Sequence, residues 1–87
     1  MRPTDIKRRL QERPFTPFRI VLSDGVRYDI RHPDQAAPMF TIVDVLPLER
    51  DKSLNIEDAV VSLSYFHIVR LEPLPFSAPL QETNGSA

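Results

Sequence analysis

The sequence predicts a mainly β, α+β fold: a short N-terminal helix followed by a small, strongly bent antiparallel barrel of five strands. Three observations carry that expectation. Short runs of alternating apolar and polar residues recur between Phe18 and Glu72, with the period of half-buried strands. Asp24-Gly25, His32-Pro33 and Pro73 punctuate these runs and keep each strand short. The one pair at helical spacing, Ile6 and Leu10, precedes them all. So many short strands in so short a chain bury their apolar faces by curling into a barrel.

For the helix, Thr4 is the expected N-cap, and Asp5 is favourable in the first turn. Pro14 stops it near Arg13. So short a helix is unstable alone, so the Ile6/Leu10 stripe must lie on the sheet. Its polar face carries Lys7, Arg8 and Glu12, flanked by Arg9 and Arg13. Phe15 and Phe18 bracket Thr16-Pro17 in an extended approach to the first strand, and both rings are expected in the core.

The most legible stretch is Phe15 to Arg31. A two-residue turn at Asp24-Gly25 would set Leu22 opposite Arg27 and Ile20 opposite Asp29. A three-residue loop, Ser23-Asp24-Gly25, instead pairs Leu22 with Val26, Ile20 with Tyr28 and Phe18 with Ile30, so that one face is wholly apolar. That turn-plus-bulge hairpin needs a left-handed residue at its third position, and Gly25 stands there. Arg19, Arg27, Asp29 and Arg31 then share the outer face.

Residues 33–38 read as a loop or a single turn. A third strand covers Phe40 to Val45, with its apolar side through Phe40 and Ile42. Residues 47–58 form a charged connection that holds a helical turn or extends the third strand. Strand four covers Ala59 to Leu63. Ser64 to His67 suits one 3₁₀ turn, and strand five covers Ile68 to Glu72. Residues 1–75 make one domain. Residues 76–87 are small and polar, a tail expected to be flexible, with Phe76 and Leu80 as apolar anchors.

A chain of 87 residues buries only about 60–65% of its unfolded surface. With no cysteine it has no disulfide or thiolate-metal site to help, so it must pack very well or oligomerise. No apolar run approaches a membrane span, and the charged start, MRPTDIKRRL, lacks a signal peptide's apolar stretch. No membrane association is expected, and the default is a cytoplasmic protein. Residues 1–32 hold eight Lys/Arg and four Asp/Glu, a balance of +4; residues 33–87 hold three and eight, −5, and the two sum to −1. Either the basic side attracts phosphate, or opposite halves attract within the molecule or between subunits.

Two resemblances follow. Phe15-Thr16-Pro17-Phe18, Ser23-Asp24-Gly25, Arg31-His32-Pro33 and His67-Ile68-Val69-Arg70-Leu71-Glu72-Pro73-Leu74 resemble a family of small uncharacterised bacterial proteins with the pattern PFxPFxxxxSDG, RHP and HIxxIEPL. This resemblance implies no activity. The layout of helix, bent five-stranded sheet and 3₁₀ turn before the last strand also resembles the Sm-like/SH3-like folds. Within it, Leu22-Ser23-Asp24-Gly25 looks like the first Sm hairpin turn. Tyr65-Phe66-His67 is similar to the Tyr-Lys-His of Hfq-like bacterial RNA chaperones. There the tripeptide lies at a subunit boundary and helps bind uridine-rich RNA, so the resemblance implies ring assembly and RNA contact through Tyr65 and His67. Phe66 stands where those proteins have lysine.

No catalytic motif stands out. His32 and His67 with Asp34 or Asp44 would be a two-histidine, one-carboxylate metal set, but no spacing supports it, and His32 reads as the end of a strand. There is no nucleophile turn and no glycine-rich phosphate loop. The expectation is no enzyme, no metal and no cofactor. The arginines of the hairpin read either as a basic strip or as a solvated face with one internal ion pair. The Lys7-Arg8-Arg9 run is equally open. Tyr65-Phe66 reads either as a stacking surface or as one core ring and one edge ring. The leading functional reading is a non-catalytic binding and assembly module whose partner is another protein or a second copy. Its contacts would be exposed strand edges or the outward residues Val21, Val43 and Val69. The alternative is an Sm-like RNA- or DNA-binding regulator using Arg8, Arg9, Arg27, Arg31, Tyr65 and His67. A third reading is an accessory subunit docking through residues 47–58 or the tail.

Overall fold

The structure is a computed structural model that describes residues 1–74. It is α+β: a short N-terminal helix, then six strands in two antiparallel sheets. Helix α1 covers Pro3–Gln11. The strands are β1 (Phe18–Leu22), β2 (Arg27–Ile30), β3 (Ala36–Pro38), β4 (Ile42–Val45), β5 (Val61–Ser64) and β6 (Ile68–Pro73). A four-residue helix α2, Ile56–Ala59, lies before β5, and 3₁₀ turns occupy Pro33–Gln35 and Tyr65–His67. One sheet has the order β2-β1-β6 and the other β3-β4-β5. The expected strongly bent barrel of five strands is therefore corrected to six strands in two three-stranded sheets. The tail expected at 76–87, with Phe76 and Leu80, lies outside the described residues.

The core sits between the sheets and under α1. Ile6, Phe18, Ile20, Ile30, Val43 and Val45 are fully buried, with Leu10, Leu63, Tyr65 and Ile68 packed among them. Ile6 and Leu10 face inward, as their spacing requires. The N-cap is Arg2 rather than Thr4: Pro3 opens the helix, and the Arg2 N–H donates to Asp5 Oδ2 at 3.0 Å. Phe15 packs edge-on against Phe18, ring centres 6.2 Å apart.

The hairpin has the three-residue register. Phe18 pairs with Ile30, Ile20 with Tyr28, and the Leu22 N–H donates to the Val26 carbonyl at 2.9 Å. Gly25 has φ +88° and its N–H closes the turn onto the Leu22 carbonyl. Asp24 adds a bond from the Val26 N–H. The apolar face is less complete than expected, since Val26 at the turn is exposed.

Three further expectations are corrected. Residues 36–38, read as loop, form β3, pairing Ala36 with Val45 and Pro38 with Val43. Strand β4 turns the other way: Val43 and Val45 are buried, Ile42 is half-buried and Phe40 is 91% exposed. A one-residue shift of a strand exchanges its faces. Asp44 lies on the same face as Ile42 and bonds Ser62 Oγ at 2.6 Å, so that face is the wet one. Finally, Val21 and Val43 are 5% and 0% exposed, so neither points outward; of the three valines only Val69, at 52%, does. Val21 stands in register between Arg27 and Arg70, whose stems can shield it.

Gln35 joins the sheets. It is buried, and its amide makes four bonds: Oε1 accepts from the N–H groups of Arg31 (2.6 Å) and His32 (3.0 Å), and Nε2 donates to the carbonyls of Asp29 and Leu46, each at 3.2 Å. Its backbone carbonyl accepts from the Leu46 N–H. The end of β2 and the chain leaving β4 are thus tied through one side chain.

Candidate functional site: a basic hairpin face and an apolar rim

Alternation along β1 and β2 sets Arg19 opposite Asp29 on the outer face, with Arg27 and Arg31 two residues to either side of Asp29. Arg19 Nε donates to Asp29 Oδ1 at 2.7 Å, and Nη2 reaches Oδ2 at 3.4 Å. That bond holds the Arg19 guanidinium above its ordinary pKa, against a smaller opposing effect of burial. Arg31 Nη2 lies 3.8 Å from the same carboxylate. Arg27 has no ion pair among the described residues. Across β1, Glu72 on β6 accepts from Arg70 Nε; this bond, then the nearby Arg19 and Arg27, hold its carboxyl below the usual range. The segment 47–49 faces β2 and completes a cleft of about 390 Å³, whose walls include Arg19, Arg27, Asp29, Arg31, Leu48 and Glu49.

The other residues singled out in the sequence lie elsewhere. Arg8 is exposed on α1, 3.8 Å from Asp5. Arg9 is half-buried with its guanidinium carbon 5.8 Å from the centre of the Phe18 ring, a cation–π contact that covers the core. Tyr65 is buried, and its hydroxyl donates to the Met39 carbonyl at 2.8 Å. Burial raises its phenol pKa, with the Met39 bond partly opposing. The ring is part of the core and offers no face for stacking. His67 is exposed beside a second cleft of about 370 Å³ with Ser23, Asp24, Ser62 and Ser64, and its carbonyl accepts from the Ser23 N–H. So Arg27 and Arg31 share one cleft, His67 borders another, and Arg8 and Arg9 border neither. His32 follows the end of β2, whereas His67 sits by the hairpin turn, so the hairpin's length separates the two histidines. Among the described residues no three His, Cys, Asp or Glu side chains gather as a metal site.

One feature was not anticipated. Phe40 and Phe66 are 91% and 94% exposed. Tyr65, the neighbour of Phe66, bonds Met39, the neighbour of Phe40, and Ile42 pairs with Ser64. Both residues therefore lie at the same end of the molecule, and Met39, next to Phe40 in the chain, is half-exposed there. The sequence held a clue: Asp44 excludes the Phe40/Ile42 face from the core.

No protein-family model matches the chain, and no curated protein and no solved structure matches it. Among the described residues no helix is long and apolar enough to cross a membrane.

Proposed function

We propose that the protein is a non-catalytic, cytoplasmic binding and assembly module that self-associates through the rim bearing Phe40 and Phe66. The observation that carries this reading is the near-complete exposure of two phenylalanines at one end of so small a domain. Burying a phenylalanine is worth about 1.5–3 kcal/mol, while association costs on the order of 4–15 kcal/mol. Two rings from each copy give a gain of the same order as that cost, so assembly is weak and concentration-dependent. The placement of β1 between β2 and β6, and the 3₁₀ turn before β6, support an Sm-like or SH3-like assignment. Sedimentation equilibrium over a range of concentrations tests the reading. The average mass of the wild type rises above the 10.0 kDa of one chain, while the double variant Phe40→Ser, Phe66→Ser stays at one chain and melts no lower. A double variant that associates as strongly as the wild type rejects the rim.

A second reading, an Sm-like RNA- or DNA-binding regulator, is favoured by the convergence of Arg27 and Arg31 on one cleft. It would use these with Arg8 and His67, and Phe66 rather than Tyr65 as the stacking ring. Its affinity must fall steeply with salt.

A further inference from the structure

We infer that the free edge of β2 is a docking strand for an extended segment of another protein that carries one acidic residue between apolar ones. Hydrogen-bonded and non-bonded pairs alternate along an antiparallel ladder. Leu22 bonds Val26 across the turn, so Ile20–Tyr28 and Phe18–Ile30 are the bonded pairs and Arg27 and Asp29 direct their backbone groups away from β1. The chain itself answers part of that edge. The Gln35 amide accepts from the Arg31 N–H and donates to the Asp29 carbonyl, as the peptide group of a neighbouring strand would. It stops there. The N–H and carbonyl of Arg27 and the N–H of Asp29 have no partner among the described residues.

These open groups belong to strand residues that line the 390 Å³ cleft, whose far wall is Pro47, Leu48 and Glu49. An unpaired edge is a template for another strand. A residue paired with Arg27 would exchange both backbone bonds with it, and its side chain would point to the same outer face. Three arginines against Asp29 and Glu49 leave the cleft one positive charge in excess. Arg19 is held by Asp29, whereas Arg27 has no ion pair among the described residues. One carboxylate opposite Arg27 balances the cleft with a charge-assisted bond. Pro47 and Leu48 give an apolar wall to the residues two positions from the carboxylate, whose side chains point to the same face. An excess of one charge suits a single acidic side chain better than the repeated phosphates of a nucleic acid. This site is separate from the Phe40/Phe66 rim.

The test uses the full chain and a blocked peptide of valine and threonine with one central glutamate, followed by nitrogen–proton correlation spectra. The amide signals of Arg27 and Asp29 shift and exchange more slowly with solvent when the peptide is added. Arg27→Glu, an exposed site, weakens binding by about tenfold or more, the value of one charge-assisted bond. N-methylation of the glutamate, which removes its donor to the Arg27 carbonyl, abolishes binding. The inference is overturned if the peptide does not bind, if the shifts fall elsewhere, or if the N-methylated peptide binds equally well. It is also overturned if an oligouridine moves the same signals at lower concentration, or if concentrating the protein alone protects these amides.

Discussion

Gly25 holds the hairpin turn at a φ of +88°, and a Cβ built there meets nothing within 4 Å. Any cost of a side chain is therefore one of backbone conformation. Gly25→Val loses about 1–3 kcal/mol, and Gly25→Asn loses less because asparagine tolerates the left-handed region. Urea denaturation of both variants checks this; an unchanged midpoint for the valine variant would contradict it. Tyr65 makes a different prediction. Its phenol pKa is raised in the folded protein, so the native state holds the proton more tightly than the unfolded chain. That stability is fully present below the ordinary phenol value of about 10 and is lost as pH rises through the folded value. Tyr65→Phe thus lowers stability near neutrality by about 1 kcal/mol for the lost bond to Met39, and flattens the decline above about pH 10. Denaturation across that range reads both effects.

Between elements, legibility followed the strength of the local signal. The hairpin register could be read because only one loop length keeps charges off the apolar face, and a glycine stood where that loop needs it. Strand β3 could not: Ala36-Ala37-Pro38 has no alternation, and its strand character comes from pairing with β4. The helix start is not legible because threonine is a common cap and Thr4 competes for the role, whereas the observed start uses Arg2 and the Asp5 carboxylate. Gln35 was unreadable because its role depends on bringing Asp29, Arg31, His32 and Leu46 together. Replacing it, Gln35→Leu, keeps similar bulk but strips the partners from part-buried backbone groups. The variant loses at least about 1–3 kcal/mol, and hydrogen exchange quickens at Arg31 and His32. Retention of wild-type stability would show that the amide does not join the sheets.

For the whole molecule, the charge split between the two halves does not resolve into internal pairing. Among the described residues each ion pair lies within residues 1–32 or within residues 33–74. Across the halves the charges meet at longer range, as Glu72 does with Arg19 and Arg27, so the surface keeps charge that can act between molecules, on top of the two exposed rings. Phe66 is the edge ring that the sequence pattern allows beside the core ring of Tyr65, whereas the alternation of Phe40 with Ile42 points Phe40 to the core, so only half of the rim is legible in the sequence. The basic face was read correctly as a surface, but not the cleft, because the position of 47–49 beside β2 is set by tertiary contacts. The most direct test of the central claim is the solution mass of freshly purified protein across a concentration series, with its ultraviolet absorbance spectrum recorded alongside. The account predicts a mass that climbs with concentration from one chain towards a defined oligomer, with a protein-only spectrum. A single-chain mass at every concentration, or an oligomer that forms only with bound nucleic acid and falls apart in salt, would contradict it.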